Sequence, residues 1–560
     1  MGRRAWGVAV SCGVLALVAL VVLGGLTAKG PAAAPGGTTT ARQPVDDRPN
    51  IVLILMDDFS MELLSTMPEA QRMVREGASY RNSYVVDSLC CPSRAALLTG
   101  QAPHQTGVLT NTRNGRRPVG GYPAFLAHDN PRKQFSVALQ ASGYTTGFIG
   151  KFLNVYDVRR VDGKILPPPK VAGWDDWQAI LSGGYNGWGF RSTYLGEDGT
   201  VRLRDHPKPP RNATHEDRDR SYATNVTADL AVRFLDDHRD DASPYFLEIA
   251  TYGSHAQIRK AYPGSPAFPS AFQDRARYGD PEGGNCGLKR CGSLSLRDLK
   301  GYNDPRDDNA PTYLRRGGRT VPAPAWRTNP IKLTDKSALR HYRDRVQMVQ
   351  SIDRLIARVR REVGPDTFVF LTSDNGIHLG QHQLNGGKGT PYDSDVRVPL
   401  AVVGPGVAPG GRAQFVSNID LAPTFEELAG LKSPGFRSGT SIASSLRAPR
   451  ARGGRYVFFE HTWSKSRPGE FDPDKRTGGS TDIVPSYIAA RSARGLLVRF
   501  DLDSSWRGTD YAWELYRYDV PWEDRNVFAE DHAKPWVQDL KRRIERFDGC
   551  RPAVCRALSR

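Results

Sequence analysis

Two acidic clusters stand where the chain abruptly changes character. Asn50-Ile-Val-Leu-Ile-Leu-Met56 is apolar and β-branched and ends in Asp57-Asp58, while Thr367-Phe-Val-Phe-Leu-Thr-Ser373 ends in Asp374-Asn375-Gly376. Asp57, Asp58, Asp374 and Asn375 together offer three carboxylates and an amide oxygen. Such an all-oxygen set suits a hard cation, Ca²⁺ first and Mg²⁺ second. An Asp-Asp pair alone is often only a turn or a helix cap; the recurrence at the end of a second buried strand singles this one out. Of the seven cysteines, Cys12 lies in the apolar N-terminal run. Cys286 and Cys291 share their spacing with Cys550 and Cys555, which reads as two local disulfide loops made in an oxidising compartment. Four thiolates around zinc are the alternative at this spacing. Cys90 and Cys91 are adjacent, and neighbouring cysteines seldom bond to each other because the link strains the peptide between them.

Something must bring these groups together. Tyr144-Thr-Thr-Gly-Phe-Ile-Gly150 runs into Lys151, and Pro244-Tyr-Phe-Leu-Glu-Ile-Ala-Thr251 runs towards His255. With the two acidic ends this makes four short apolar runs, the pattern of parallel strands buried on both faces. Helical patterns lie between them at 135–142, 226–238 and 336–363, the last with Thr334 or Asp335 as cap. Alternation of strand and helix predicts an α/β fold with a mostly parallel sheet covered on both sides. Ligands in such sheets sit in the crevice beyond the carboxyl ends of the strands, where these polar residues emerge. The Pro/Gly-rich stretch 256–327 reads as long loops around the mouth of that crevice, and 418–430 as the last helix of the large domain. Runs at 456–459, 487–490 and 495–500 predict a smaller antiparallel sheet, with a closing helix at 534–547. The expected organisation is therefore a catalytic domain over 48–436 and a C-terminal subdomain over 437–560.

Cys90-Cys91-Pro92-Ser93-Arg94, continuing to Thr99-Gly100, resembles the signature of the type I, formylglycine-dependent sulfatases. The resemblance implies that a maturation enzyme oxidises Cys90 to formylglycine (3-oxoalanine), which becomes a ligand of the same metal. The chemistry is attractive. A serine would leave a slowly hydrolysed sulfated enzyme, whereas an aldehyde hydrate attacks sulfur with one hydroxyl and expels sulfate by deprotonating the other. Arg94 is expected to open a helix and hold the hydrate, with helix amino-terminal N–H groups favouring the anion. Lys151 in Gly-Lys-Phe-Leu-Asn154 and Lys388 in Gly-Lys-Gly-Thr-Pro-Tyr392 match the family's sulfate-binding lysines, although isolated lysines usually face solvent. His255 matches the histidine that contacts the ester oxygen; it or Lys388 protonates the leaving alcohol. Its Gly-Ser-His-Ala context departs from the usual Pro-His-x-Pro. Many relatives carry histidine two residues after the first lysine, where this chain has Leu153 followed by Asn154. His378 either approaches the substrate or is structural. Similarity extends from 48 to the end, through Asp395-Val-Arg-Val-Pro-Leu400 and Trp513-Glu-Leu-Tyr516. Leu-Cys-Cys-Pro-Ser-Arg and Gly-Lys-x-Leu-Asn look most like N-acetylglucosamine-6-sulfatases and heparan endosulfatases, which implies an alkaline phosphatase-like fold and a sulfated glycan substrate.

Composition bounds the remaining possibilities. Hydrophobic residues make up 39% and charged residues 24% of 560, ordinary for a folded protein, and the net charge is +17. The basic residues are scattered and mostly arginine, so they identify no nucleic-acid module. Arg3 and Arg4 precede an apolar run over 7–26, then small residues, the pattern of an export signal. That run, about 20 residues, is also long enough to anchor in a bilayer. The expectation is a signal peptide or membrane anchor over 1–28, a Pro/Ala/Gly/Thr-rich linker over 29–47, and a secreted or cell-surface protein touching membrane only through that leader. Two other functions compete: a phosphodiesterase or phosphonate monoester hydrolase using the same modified cysteine, and a non-catalytic binder of anionic glycans.

Overall fold

The protein is described here by a computed structural model covering residues 46–112, 119–255, 284–306, 309–326, 333–451, 453–461, 484–502, 510–518 and 525–560. The leader 1–28 and nearly all of the linker lie outside the described residues, as does all of 256–283. Among the described residues no helix is long and apolar enough to cross a membrane.

Strand Asn50–Met56 is the axis of a ten-stranded sheet. It pairs in parallel with Thr367–Ser373 on one side and with Tyr245–Ala250 on the other, and the latter pairs in parallel with Thr145–Lys151. The four strands recognised as apolar runs are thus adjacent, and their carboxyl ends form one edge. Alternation along the axial strand divides the core. Ile51, Leu53 and Leu55 pack with helices Cys90–Thr99, Phe135–Ala141 and Leu421–Leu428. Val52, Ile54 and Met56 pack on the other face with Pro68–Glu76, Ala223–Asp237 and Asp335–Glu362. Thr334 caps the last of these, its side chain accepting from the Ser337 amide. Burial on both faces explains why these strands are almost continuously apolar.

Six further strands widen the sheet. Asp176–Ile180, Phe190–Leu195 and Val201–His206 extend it beyond Thr145–Lys151, while Ala401–Val403, Ala78–Tyr84 and Gly410–Ser417 extend it beyond Thr367–Ser373. Four of the pairings they make are antiparallel, so the sheet is mixed. A second sheet is wholly antiparallel, in the order Thr320–Pro322, Thr312–Leu314, Tyr511–Arg517, Gly495–Asp501, Ser486–Ser492, Tyr456–His461. Its first two strands come from the stretch expected to be loops. They are only three residues each, too short for a periodic signal. The closing helix spans Pro535–Phe547.

Cys286 is bonded to Cys291 and Cys550 to Cys555. The first bond belongs to the core under the long helix Asp335–Glu362 and the second to the core of the antiparallel sheet, so the four sulfurs do not form one zinc site.

Candidate active site

Helix Cys90–Thr99 begins at Cys90 itself, one turn earlier than the sequence suggested, with extended Leu89 as its N-cap and all ten residues buried. Arg94 therefore lies in the second turn. Its Nε donates to Asp374 Oδ2 at 2.7 Å and its Nη1 to the Lys151 carbonyl at 2.7 Å, so one guanidinium ties two strand ends to the helix. Its Nη2 lies 3.8 Å from Asp57 Oδ1 and has no hydrogen-bond partner.

The Cys90 sulfur sits at the centre. It is 3.5 Å from Asp57 Oδ1, 3.5 Å from Asp58 Oδ1, and accepts from Lys388 Nζ at 2.7 Å. Lys151 Nζ donates to Asp57 Oδ1 at 2.6 Å, and Lys388 also donates to Asp58. Asn375 Nδ2 donates to Asp58 Oδ1 at 2.8 Å, and the Asp58 amide donates to Asp374 Oδ1 at 3.1 Å. Asp58 adopts the left-handed region, with φ 55°, unfavourable for a residue with a side chain.

Ligand atoms of Asp57, Asp58, Cys90 and Asp374 all lie within 4.8 Å of one another, and all four residues are buried. Asp57 Oδ2 and Asn375 Oδ1 are buried without a hydrogen-bond partner. Buried polar atoms are ordinarily satisfied, so two orphan oxygens beside further carboxylates are the donor set that a hard cation completes. The residues present fit such an ion.

His255 emerges beyond strand Tyr245–Ala250 with its Nε2 3.6 Å from Asp58 Oδ2. Burial pulls its pKa down to about 3, against the pull of the Asp58 carboxylate. Burial also pushes the Cys90 thiol well up, with Lys151 and Lys388 opposing it. For Asp58, burial acts upward, but Lys388, His255 and Lys151 hold the carboxyl far below its usual range.

Two further candidates, His378 and Asn154, lie among partners of their own. His378 is buried, its Nδ1 3.0 Å from both Asp395 oxygens, and Asp395 also accepts from the Thr390 amide and hydroxyl. This network braces the turn carrying Lys388, the role of a structural histidine. Asn154 lies at the mouth, its Nδ2 3.5 Å from the Tyr185 hydroxyl and its Oδ1 unpartnered.

Sequence reasoning missed Tyr185 and Arg345. The Tyr185 ring lies 5.1 Å from Lys151 Nζ and 4.6 Å from the His255 ring. It belongs to the short turn Ser182–Asn186, between strands that were not recognised. Arg345 is a charged residue within an amphipathic helix, where nothing in the sequence separates it from its solvated neighbours.

A mostly parallel sheet presenting an aspartate-rich centre at its strand ends, with a cysteine at a helix N-terminus and two lysines, defines a class of ester hydrolases. The sulfatase family model matches residues 49–431, and this chain belongs to the sulfatase family. The human N-acetylglucosamine-6-sulfatase is 29% identical over 392 residues, which are 68% of this chain and 61% of that protein. Across four animal relatives the match spans 31% to 61% of their length. A structure solved in complex with its substrate D-glucosamine-2-N,6-O-disulfate is 20% identical, with a TM-score of 0.59, covering 90% of this chain and 98% of that one. A phosphonate monoester hydrolase from Silicibacter pomeroyi is equally similar, 20% identical with a TM-score of 0.60, over 90% of this chain and 96% of that one. The architecture is the alkaline phosphatase-like fold, which by itself does not choose between sulfuryl and phosphoryl esters.

Proposed function

We propose that this protein is a sulfuric ester hydrolase acting on a sulfated sugar, of the 6-sulfated amino-sugar type found in glycosaminoglycans. One observation carries the reading: Cys90, inside an intact Cys-x-Pro-Ser-Arg, sits between the oxygen ligand set and Lys388. Conversion of Cys90 to formylglycine would supply a hydrated aldehyde whose hydroxyl attacks sulfur. A Ca²⁺ or Mg²⁺ ion held by Asp57, Asp58, Asp374, Asn375 and residue 90 would supply a charge that lowers the pKa of that hydroxyl and polarises a sulfate oxygen.

The chain's own residues do the rest. Lys151 and Lys388 place two ammonium groups beside the nucleophile, where they bind the sulfuryl oxygens and stabilise the charge that develops during transfer. Arg94 orients the nucleophile through its free Nη2 while its other nitrogens hold the Asp374 and Lys151 strand ends together. His255, facing the site with Nε2, hydrogen-bonds the leaving oxygen, and either it or Lys388 delivers the proton. Asn154 and Tyr185 border the entrance and meet the sugar rather than the sulfate. Residues 48–436 serve as the catalytic domain and 437–560 as its subdomain. Export fits the two disulfides, and relatives named as extracellular sulfatases support it; whether the leader is cleaved or retained does not alter the site.

The test is the mass of the tryptic peptide spanning 82–94 from protein co-expressed with a formylglycine-generating enzyme. Conversion of Cys90 lowers that mass by about 18 Da, replacing the thiol and a hydrogen with the aldehyde oxygen. Active protein should then hydrolyse an aryl sulfate in preference to the aryl phosphate and phosphonate. Unmodified Cys90 under those conditions would favour the glycan-binder reading, and a preference for phosphoryl esters the phosphonate-hydrolase one.

A further inference from the structure

Arg345 is buried, 1% exposed, in the middle of helix Asp335–Glu362, and its neighbours Tyr342, Val346 and Val349 belong to the core. Among the described residues it forms no ion pair, the Glu62, Asp58 and Asp57 carboxylates acting on it only at longer range. A buried guanidinium without a directly paired carboxylate is costly, and an apolar side chain would fill the same helix-to-sheet contact without that cost. Its hydrogen bonds explain its presence. Nη1 donates to the Ser254 carbonyl at 3.0 Å, and Nη2 donates to the Asp58 carbonyl and to Ser60 Oγ at 3.1 Å.

Those two carbonyls lie on the loops leaving adjacent strands. Asp58 is the residue held at positive φ, and Ser254 immediately precedes His255. The loops already touch: the Asp57 amide donates to the Gly253 carbonyl at 3.2 Å, and the Ser254 amide to the Asp57 carbonyl at 2.9 Å. Ser254 Oγ lies 3.3 Å from the carbonyls of both Asp57 and Asp58. Arg345 crosses this contact from the far side, one planar fork binding both loops at once. Lysine, a single point donor, cannot span them in the same way.

We infer that Arg345 is a positioning residue, fixing the backbone from which Asp58 and His255 project and thereby setting both metal affinity and the leaving-group contact. The inference rests on the function proposed above.

It is tested on full-length protein carrying Arg345→Met or Arg345→Lys. Calcium alone is titrated calorimetrically into chelator-treated protein, and kcat, KM and melting temperature are measured alongside. Loss of a group that supports a metal ligand typically costs about 10–100-fold in affinity or activity, so Arg345→Met should weaken calcium binding and lower kcat by that order with KM little changed. Arg345→Lys should recover part of both. Calcium affinity and kcat equal to wild type, with only a lower melting temperature, would make Arg345 a packing residue and overturn the inference. If Arg345→Met does not fold, Arg345→Lys, which keeps the charge but not the planar fork, decides: calcium binding a few-fold weaker than wild type supports positioning, unchanged binding overturns it. Wild-type protein that binds calcium but hydrolyses no sulfate ester would remove the proposed function and leave the titration to judge Arg345.

Discussion

Lys388 touches both halves of the chemistry, donating to the Cys90 sulfur and to Asp58. Replacing it with alanine should lower kcat for an aryl sulfate by about 10²–10³-fold, the usual cost of losing a preorganised donor to the reacting group. A main effect on KM, measured in the same steady-state series, would mean that Lys388 serves binding alone. Its neighbours were legible because their types are distinctive where they stand: aspartates at the ends of apolar strands, a cysteine in a five-residue motif. Lys151 and Lys388 were not legible from type, since lysine is ordinary anywhere on a surface, and only the resemblance raised them. Arg345 and Tyr185 were legible by neither route. Their significance lies in which carbonyls and cations they reach, and that is a property of the fold.

The same contrast holds for the elements. The four central strands were readable because burial on both faces makes them continuously apolar. Strands on the flanks carry mixed patterns; Phe190–Leu195 and Val201–His206 flank an Asp198-Gly199 turn with Gly199 at φ 70°, a hairpin signal that was available and not used. Two central positions invite measurement. Gly150 has φ 113°, and a Cβ there would meet the Ala250 carbonyl oxygen at 1.9 Å. Gly150→Ala should destabilise by about 1–3 kcal/mol, as overpacking does, and displace Lys151, so chemical denaturation and kcat should both register it. Glu248 is buried on strand Tyr245–Ala250, and burial, opposed by the Arg94 guanidinium, pushes its pKa up from 4.5 to about 7. The folded state retains a proton that the unfolded chain has released, so stability falls as pH rises between those values. Glu248→Gln should therefore melt higher than wild type at pH above about 8 and match it in acid; the opposite trend would mean that the Arg94 guanidinium outweighs burial.

At the scale of the molecule, His104 joins the two sheets. Its Nδ1 lies 2.9 Å from the Glu460 carboxylate on strand Tyr456–His461, and its Nε2 lies 3.0 Å from the Cys550 carbonyl. Both partners are acceptors, so both ring nitrogens carry protons. Burial opposes that charge, but Glu460 outweighs it and raises the pKa from 6.5 to about 9. The resulting stabilisation is complete below about 6.5 and disappears as pH climbs through about 9. Thermal melts of His104→Gln should lie below wild type near neutrality, with the gap closing in alkali; a constant gap would mean that packing, not charge, makes the joint. Three strands of the six-stranded sheet were readable, but its joint to the large sheet was not, because His104 and Glu460 are 356 residues apart.

Cys90 is 2% exposed, and every residue of the helix it begins is buried. No modifying enzyme could draw a thiol so placed into its own active site without first undoing the core of this one. If Cys90 is converted as proposed above, maturation and folding compete in time: the chain would be a substrate only while still emerging or unfolded, and closure of the sheet over residue 90 would end the opportunity for good. A molecule that folds first would keep its cysteine and be inert, so the active fraction of any preparation would record the outcome of a race run once per chain.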